Sequence, residues 1–253
     1  MTIWTILWAL LAVVCLAQVS TFCTTIYLHR TMTHRSLKLH PAMAFLMHLE
    51  LLLATGIMPR EWAAVHRKHH HFSDREGDPH SPYIEGLWKV LFLNFLMYRK
   101  ESRNPETVQR YTPEWKPDLL DRIPRGATLG PVTGAVLLAT AFGILLGAGF
   151  WTGAALGVAG WYLHAGIYIF LNSMINSVCH QVGYRTFDNK ATNLQWVAWI
   201  TAGEGLHNNH HEFPASARMK ALDGEMDPAW PVIRLLRKLR LAEYSTNALA
   251  KAA

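Results

Sequence analysis

The residues of this chain most suited to chemistry are three clusters of histidine and one lone histidine. In chain order they are His29 and His34; His66, His69 and His70; His180; and His207, His210 and His211. Neutral imidazole is a common ligand of iron, zinc and copper, and these histidines exceed what one ion needs. The sequence therefore predicts a metalloenzyme centre with two metal ions.

Two of the clusters share the spacing HxxHH, at residues 66–70 and 207–211. On an α-helix, residues at positions i, i+3 and i+4 lie on one face. Each HxxHH motif is therefore predicted to present its three histidines together, as one half of the metal site.

Two long segments, residues 1–28 and 127–184, contain no Asp, Glu, Lys or Arg, although the chain has a net charge of +6. A transmembrane helix needs about 20 apolar residues. The first segment accommodates one span, over 3–28, and the second accommodates two, over 128–148 and 151–177. Basic residues concentrate in 30–38, 60–125 and 218–240, which the positive-inside rule assigns to the cytoplasm.

The apolar segment 42–58 is predicted to lie at the membrane surface rather than to cross the membrane. It is short and contains His48 and Glu50, and a carboxylate near the centre of a bilayer costs about 3 kcal/mol. A span here would also separate the first histidine cluster from the second. The predicted fold is one all-α integral membrane domain, 1–253, with about three transmembrane helices and a cytoplasmic helical cap, 59–126 and 179–253, that holds the metals.

The order and wording of the motifs resemble the membrane fatty acid desaturases, in particular the bacterial stearoyl-CoA (acyl-CoA delta-9) type. The similar strings are HRTMTHRS at 29–36, EWAAVHRKHHHFSDREGDPHSP at 61–82, NSVCHQVGYR at 176–185 and GEGLHNNHHEFP at 203–214. The resemblance implies two Fe²⁺ ions held by the nine histidines above, with Asn176 holding one iron through a water. The spacing of Asn172, Asn176 and His180 independently places these three on one helix face.

Three carboxylates near the motifs, Asp74, Asp78 and Glu204, are candidates to accept the remaining N–H of ligand imidazoles. Turn capping by Asp74 and Asp78, and a helix-start role for Glu204, are the alternatives. The remaining histidines are predicted not to be ligands, and His164 is expected to form an interhelical hydrogen bond.

The resemblance implies an O₂-dependent oxidoreductase of lipid metabolism that places a cis double bond in a saturated acyl chain, in the bacterial inner membrane with a cytoplasmic active site. The sequence has no haem, iron–sulfur or dinucleotide motif, so a separate electron donor is expected. A basic cytoplasmic surface would attract an acidic ferredoxin, rubredoxin or cytochrome, and equally the phosphates of an acyl carrier. No nucleic-acid partner is expected.

Animal members have an Arg-Asp pair, associated with the CoA headgroup, where this chain has Ala64 and Val65. The acyl carrier, which is CoA, acyl carrier protein or a lipid, therefore stays open, as do double-bond position and chain length. A hydroxylase or a terminal-alkene-forming oxidase would share the same ligands. A zinc transporter is the remote alternative, but transport sites are expected near the middle of the bilayer rather than at helix ends.

Overall fold

The computed structural model describes residues 2–147 and 149–245, and most of them are helical. The helices are α1 (Ile3–Cys23) and its π-helical continuation (Thr24–Thr33), α2 (Pro41–Ala54), α3 (Pro59–Phe72), α4 (Pro82–Glu85), α5 (Leu87–Ser102), α6 (Pro105–Tyr111), α7 (Gly126–Leu145), α8 (Phe150–Asn176), α9 (Val178–Gln181), α10 (Gln195–Ile200), α11 (His207–Glu212) and α12 (Ala229–Lys238). Two short strands, β1 (Leu37–Leu39) and β2 (Ala242–Tyr244), pair in antiparallel fashion.

Within the described residues, three helices are long and apolar enough to cross a membrane: Ile3–Thr33, Gly126–Leu145 and Phe150–Gln181. The prediction of about three transmembrane helices is confirmed. The first helix is longer than the expected span, because α1 passes without interruption into the π-helix that holds the first histidine cluster. The second and third form a hairpin in which Gly157 lies directly against Ala139, with no room for a Cβ. Small residues of this kind let membrane helices approach closely.

The helix α2 begins one residue earlier than predicted and ends at Ala54. The chain then bends by 89° into α3, so α2 and α3 would count as a fourth span only if the bent pair were taken together. Leu52 and Leu53 of α2 pack against Gly130 and Gly134 of α7. The proposed position of α2 at the membrane surface stays a prediction.

The remaining helices and the β1–β2 pair lie outside the three candidate spans. The mostly helical content confirms the all-α prediction, and the two short strands add only one pairing, which joins Leu37 with Tyr244, 207 positions apart in sequence. A buried apolar cluster joins the strands, the π-helix and α12 through side chains that include Leu28, Leu51 and Ile233. This cluster packs the end of the first long helix against α12 and β2.

Candidate metal centre

The first histidine cluster lies on a π-helix rather than an α-helix. The amide N–H of His34 donates to the carbonyl of His29 at 3.0 Å, an i+5 hydrogen bond. In an α-helix two residues five apart would point about 140° away from each other. The wider π-helical turn brings them onto one side, and π-helical segments are frequent at functional sites. The HxxxxH spacing was the sequence signal for this geometry, which sequence reasoning missed.

The two HxxHH motifs lie on α3 and α11. The histidines of each motif belong to two separate groups of possible metal ligands. On α3, His66 and His70 point to one group and His69 to the other. Neighbouring residues of an α-helix point about 100° apart, so the adjacent residues His69 and His70 point toward different groups. The expectation that each motif forms one half-site was therefore wrong, because each motif contributes to both groups.

All nine histidines of the sequence prediction lie in these two groups. The five-histidine group contains His29, His34, His66, His70 and His210. The four-histidine group contains His69, His180, His207 and His211. Within each group, one ring nitrogen from every member lies within 4.8 Å of the others.

Three carboxylates accept hydrogen bonds from the outward ring nitrogens, and they are the three candidates of the sequence analysis. The distances to histidine Nδ1 are 2.7 Å from Glu204 to His29, 3.0 Å from Asp78 to His69 and 2.7 Å from Asp74 to His180. Because an ionised carboxylate only accepts hydrogen bonds, we assign the imidazole proton to Nδ1. The lone pair of each Nε2 then points into its group.

The Nε2 atoms converge within each group at spacings that suit the shared ligation of one ion. The Nε2 atoms of His29 and His210 lie 3.0 Å apart, and that of His207 lies 3.1 Å from those of His180 and His211. Two ring nitrogens at this distance share a proton as N–H···N or, when both lone pairs are free, can share a cation. Burial, reinforced by the neighbouring histidines, holds the pKa values of His207 and His210 well below their usual range, so the rings are neutral as metal ligation requires. The donor set therefore fits two transition-metal ions.

A cavity of about 120 Å³ lies beside both groups. His29 and His66 of the five-histidine group line it, as does His207 of the four-histidine group. Asn176, the last residue of α8, also lines the cavity and is half-buried. The wall is otherwise largely apolar, so the cavity suits an alkyl chain held next to the metals.

Two further residues support the histidines without any sequence signal that reveals them. Trp62 lies parallel to the His66 ring, with ring centres 4.8 Å apart. The buried guanidinium of Arg30 pairs with Asp227 at 3.0 Å and lies 3.6 Å from Glu204. Arg30 thereby neutralises two buried carboxylates, one of which orients His29.

The histidines predicted not to be ligands lie outside the two groups. The His48 Nδ1 pairs with Asp118 at 2.7 Å, and His164 bonds to Ser20 of α1 at 3.0 Å, which is the expected interhelical contact. His80 packs beside His69, with ring centres 4.8 Å apart, and lines the cavity. His71 is exposed next to His70.

Comparison with known proteins decides the family, because the fatty acid desaturase family profile matches residues 4–230. The chain belongs to the fatty acid desaturase family. This desaturase is 33% identical over 237 residues to the Delta-9 desaturase-like 2 protein of Arabidopsis thaliana, covering 90% of this chain and 73% of the relative.

Two further relatives differ in the substrate that their names state. The Acyl-CoA 5-desaturase of Anemone leveillei is 35% identical over 245 residues, 94% of this chain and 71% of that protein. The sn-1 stearoyl-lipid 9-desaturase of Anabaena variabilis is 33% identical over 224 residues, 86% of this chain and 76% of that protein. The enzyme is thus an oxidoreductase that desaturates fatty acyl chains.

Proposed function

We propose that this desaturase introduces a cis double bond into a saturated fatty acyl chain with O₂, using two iron ions held by the nine histidines. The observation that carries the proposal is the convergence of the histidine Nε2 lone pairs in two adjacent groups. Overall, O₂, two electrons and two protons would combine with two hydrogens of adjacent methylenes to leave a double bond and two waters.

The iron pair, when bound, would supply the oxidant that breaks unactivated C–H bonds, a task for which no side chain is basic enough. The protein's own residues prepare this site. Glu204, Asp78 and Asp74 fix the tautomers of three histidines. Asn176 would hold a water next to the four-histidine group, from its position at the cavity wall.

The cavity would hold the acyl chain so that one pair of carbons lies beside both groups. Its largely apolar wall suits the alkyl chain, and it includes Tyr168, whose hydroxyl lies 2.7 Å from that of Thr24. Positioning of this kind decides which C–H bonds react, because reaction falls steeply when reacting atoms are misplaced.

Electrons would come from a separate acidic carrier of the ferredoxin, rubredoxin or cytochrome type. The outer edge of the centre is only half-buried at His34, His70 and His211, which gives such a carrier a short distance to the metals. We place this edge on the cytoplasmic side of a bacterial inner membrane, in line with the basic residues of the cap.

The test is analysis of the reaction of the purified, iron-loaded enzyme. The protein in lipid vesicles, with O₂, reduced ferredoxin and deuterated stearoyl substrates, is expected to yield cis-monounsaturated chains that mass spectrometry detects. Metal analysis is expected to give two irons per chain. An oxygen-bearing product would indicate a hydroxylase, a shortened terminal alkene would indicate a decarboxylating oxidase, and zinc without iron in active protein would contradict the iron assignment.

A further inference from the structure

The outer face of α5 is apolar although α5 is not one of the three spans. Trp88, Phe92 and Leu96 are 68%, 65% and 58% exposed, and they recur at helical spacing. The charged residues of this face, Lys89 and Arg99, lie toward the ends of the helix. An exposed apolar stripe of this kind costs free energy in water, and aromatic side chains are enriched at membrane interfaces.

A candidate membrane span lies next to this stripe, because α5 packs along α8. Leu91 of α5 contacts the buried cluster that includes Met174 of α8. The apolar face of α5 therefore continues the lipid-facing surface of α8, and a lipid bilayer is the occupant that this continuity indicates.

The same two helices both line the cavity. Asn94 and Tyr98 of α5 line it from one side, and Ala165 and Ile169 of α8 line it from the other. Phe95 lines the cavity and is also 40% exposed, while Ala165 and Ile169 are only half-buried. The seam between α5 and α8 at Phe95 is thus where the cavity comes nearest to the lipid-facing surface.

The cavity is too small to hold a whole long acyl chain. A cavity of about 150 Å³ holds a ligand of the size of benzene, and this one measures about 120 Å³. It therefore encloses only a short stretch of a long acyl chain beside the histidines. The remaining methylenes would extend beyond the cavity, and Phe95 is the part of the lining that adjoins the lipid-facing surface.

We propose that the substrate is the acyl chain of a membrane glycerolipid, which enters the cavity sideways between α5 and α8 when the Phe95 side chain moves. The inference rests on the proposed desaturation and names its substrate class. It predicts that blocking the seam prevents reaction of lipid-borne chains, because these chains cannot leave the bilayer to reach the cavity another way.

The experiment attaches a bulky, reversible group at the seam. In a Cys15→Ser background, which removes the exposed native thiol, Phe95→Cys is modified with a large methanethiosulfonate reagent. Iron-loaded enzyme with reduced ferredoxin is placed in phosphatidylcholine vesicles whose sn-1 stearoyl chains are deuterated, and deuterated stearoyl-CoA is supplied in a parallel sample. Leu96→Cys with the same label is the matched control, because Leu96 is exposed on the same helix but does not line the cavity.

The expected result is that the label at position 95 abolishes whatever desaturation of the phosphatidylcholine chains the same unlabelled variant shows, and that dithiothreitol restores it to that unlabelled level. The label at position 96 is expected to leave it unchanged. Desaturation of stearoyl-CoA alone, or unchanged lipid desaturation after labelling at position 95, would overturn the lateral route. Absence of unsaturated product from both substrates with the native enzyme would overturn the proposed desaturation itself.

Discussion

The two histidine groups use one kind of side chain but obtain it from different backbone structures. The five-histidine group takes His29 and His34 from the π-helix at the end of a long membrane helix. The four-histidine group takes no residue from this helix and instead includes His180 of α9, at the end of the third candidate span. The helices α3 and α11 contribute to both groups.

The groups also differ in what holds their histidines in place. In the five-histidine group one carboxylate, Glu204, orients His29 and is itself paired with a buried arginine. In the four-histidine group two carboxylates, Asp74 and Asp78, each orient one histidine through a nearby loop. The first group thus depends on an unusual helix and an arginine–carboxylate pair, and the second depends on two carboxylates of the loop that follows α3.

Removing one proposed ligand from either group is expected to have the largest effect. His70→Ala and His207→Ala each leave one group a ligand short, so each is expected to abolish turnover and to reduce bound iron from two ions to one. Activity assay and metal analysis of the purified variants test this. His71→Ala is the matched control, since His71 is exposed beside His70 and belongs to neither group. Normal turnover without His207 would contradict the ligand assignment.

Replacing each carboxylate is expected to weaken iron binding at one histidine group and not at the other. Asp74→Asn and Asp78→Asn should weaken iron binding at the four-histidine group, and Glu204→Gln at the five-histidine group, because an amide no longer favours the proton on Nδ1. Such partners of ligands typically contribute 10- to 100-fold to metal affinity, so we expect losses of about that size. Chelator titration of each variant measures the affinity. If Glu204→Gln weakened both ions equally, the division into two groups would be wrong.

A smaller effect is expected from loosening the π-helix alone. The Arg67 guanidinium donates to the carbonyls of Met32 and Thr33, where the π-helix ends. Arg67→Met should let this end shift and weaken iron binding by about tenfold at the five-histidine group only. Lys68→Met is the control, because Lys68 pairs with Glu101 and makes no contact with the π-helix carbonyls. Equal losses in the two variants would indicate a general loss of stability.

Much of this arrangement could be predicted from the sequence, because it depends on local patterns. The uncharged segments revealed the three long helices, and the histidine spacing revealed which side chains come together. The π-helix was missed because the motifs were interpreted with α-helical geometry, which also led to the wrong assignment of one half-site to each HxxHH motif. The pairing of Arg30 with Asp227 joins residues 197 apart in sequence, and only the tertiary fold brings such residues into contact.

The smallest effect is expected from substituting Asn176, which would hold a water beside the four-histidine group. Asn176 lines the cavity near His207, and its amide would contribute one hydrogen bond to a water rather than a direct metal bond. A hydrogen bond of this kind contributes about 1 kcal/mol, so Asn176→Ala should lower turnover about fivefold while both irons stay bound. Asn172→Ala is the control, one turn earlier on α8 in the same wall, where its amide donates to the Tyr168 carbonyl. Loss of one iron in Asn176→Ala would instead make Asn176 a direct ligand, and the two groups would then be equal in ligand number.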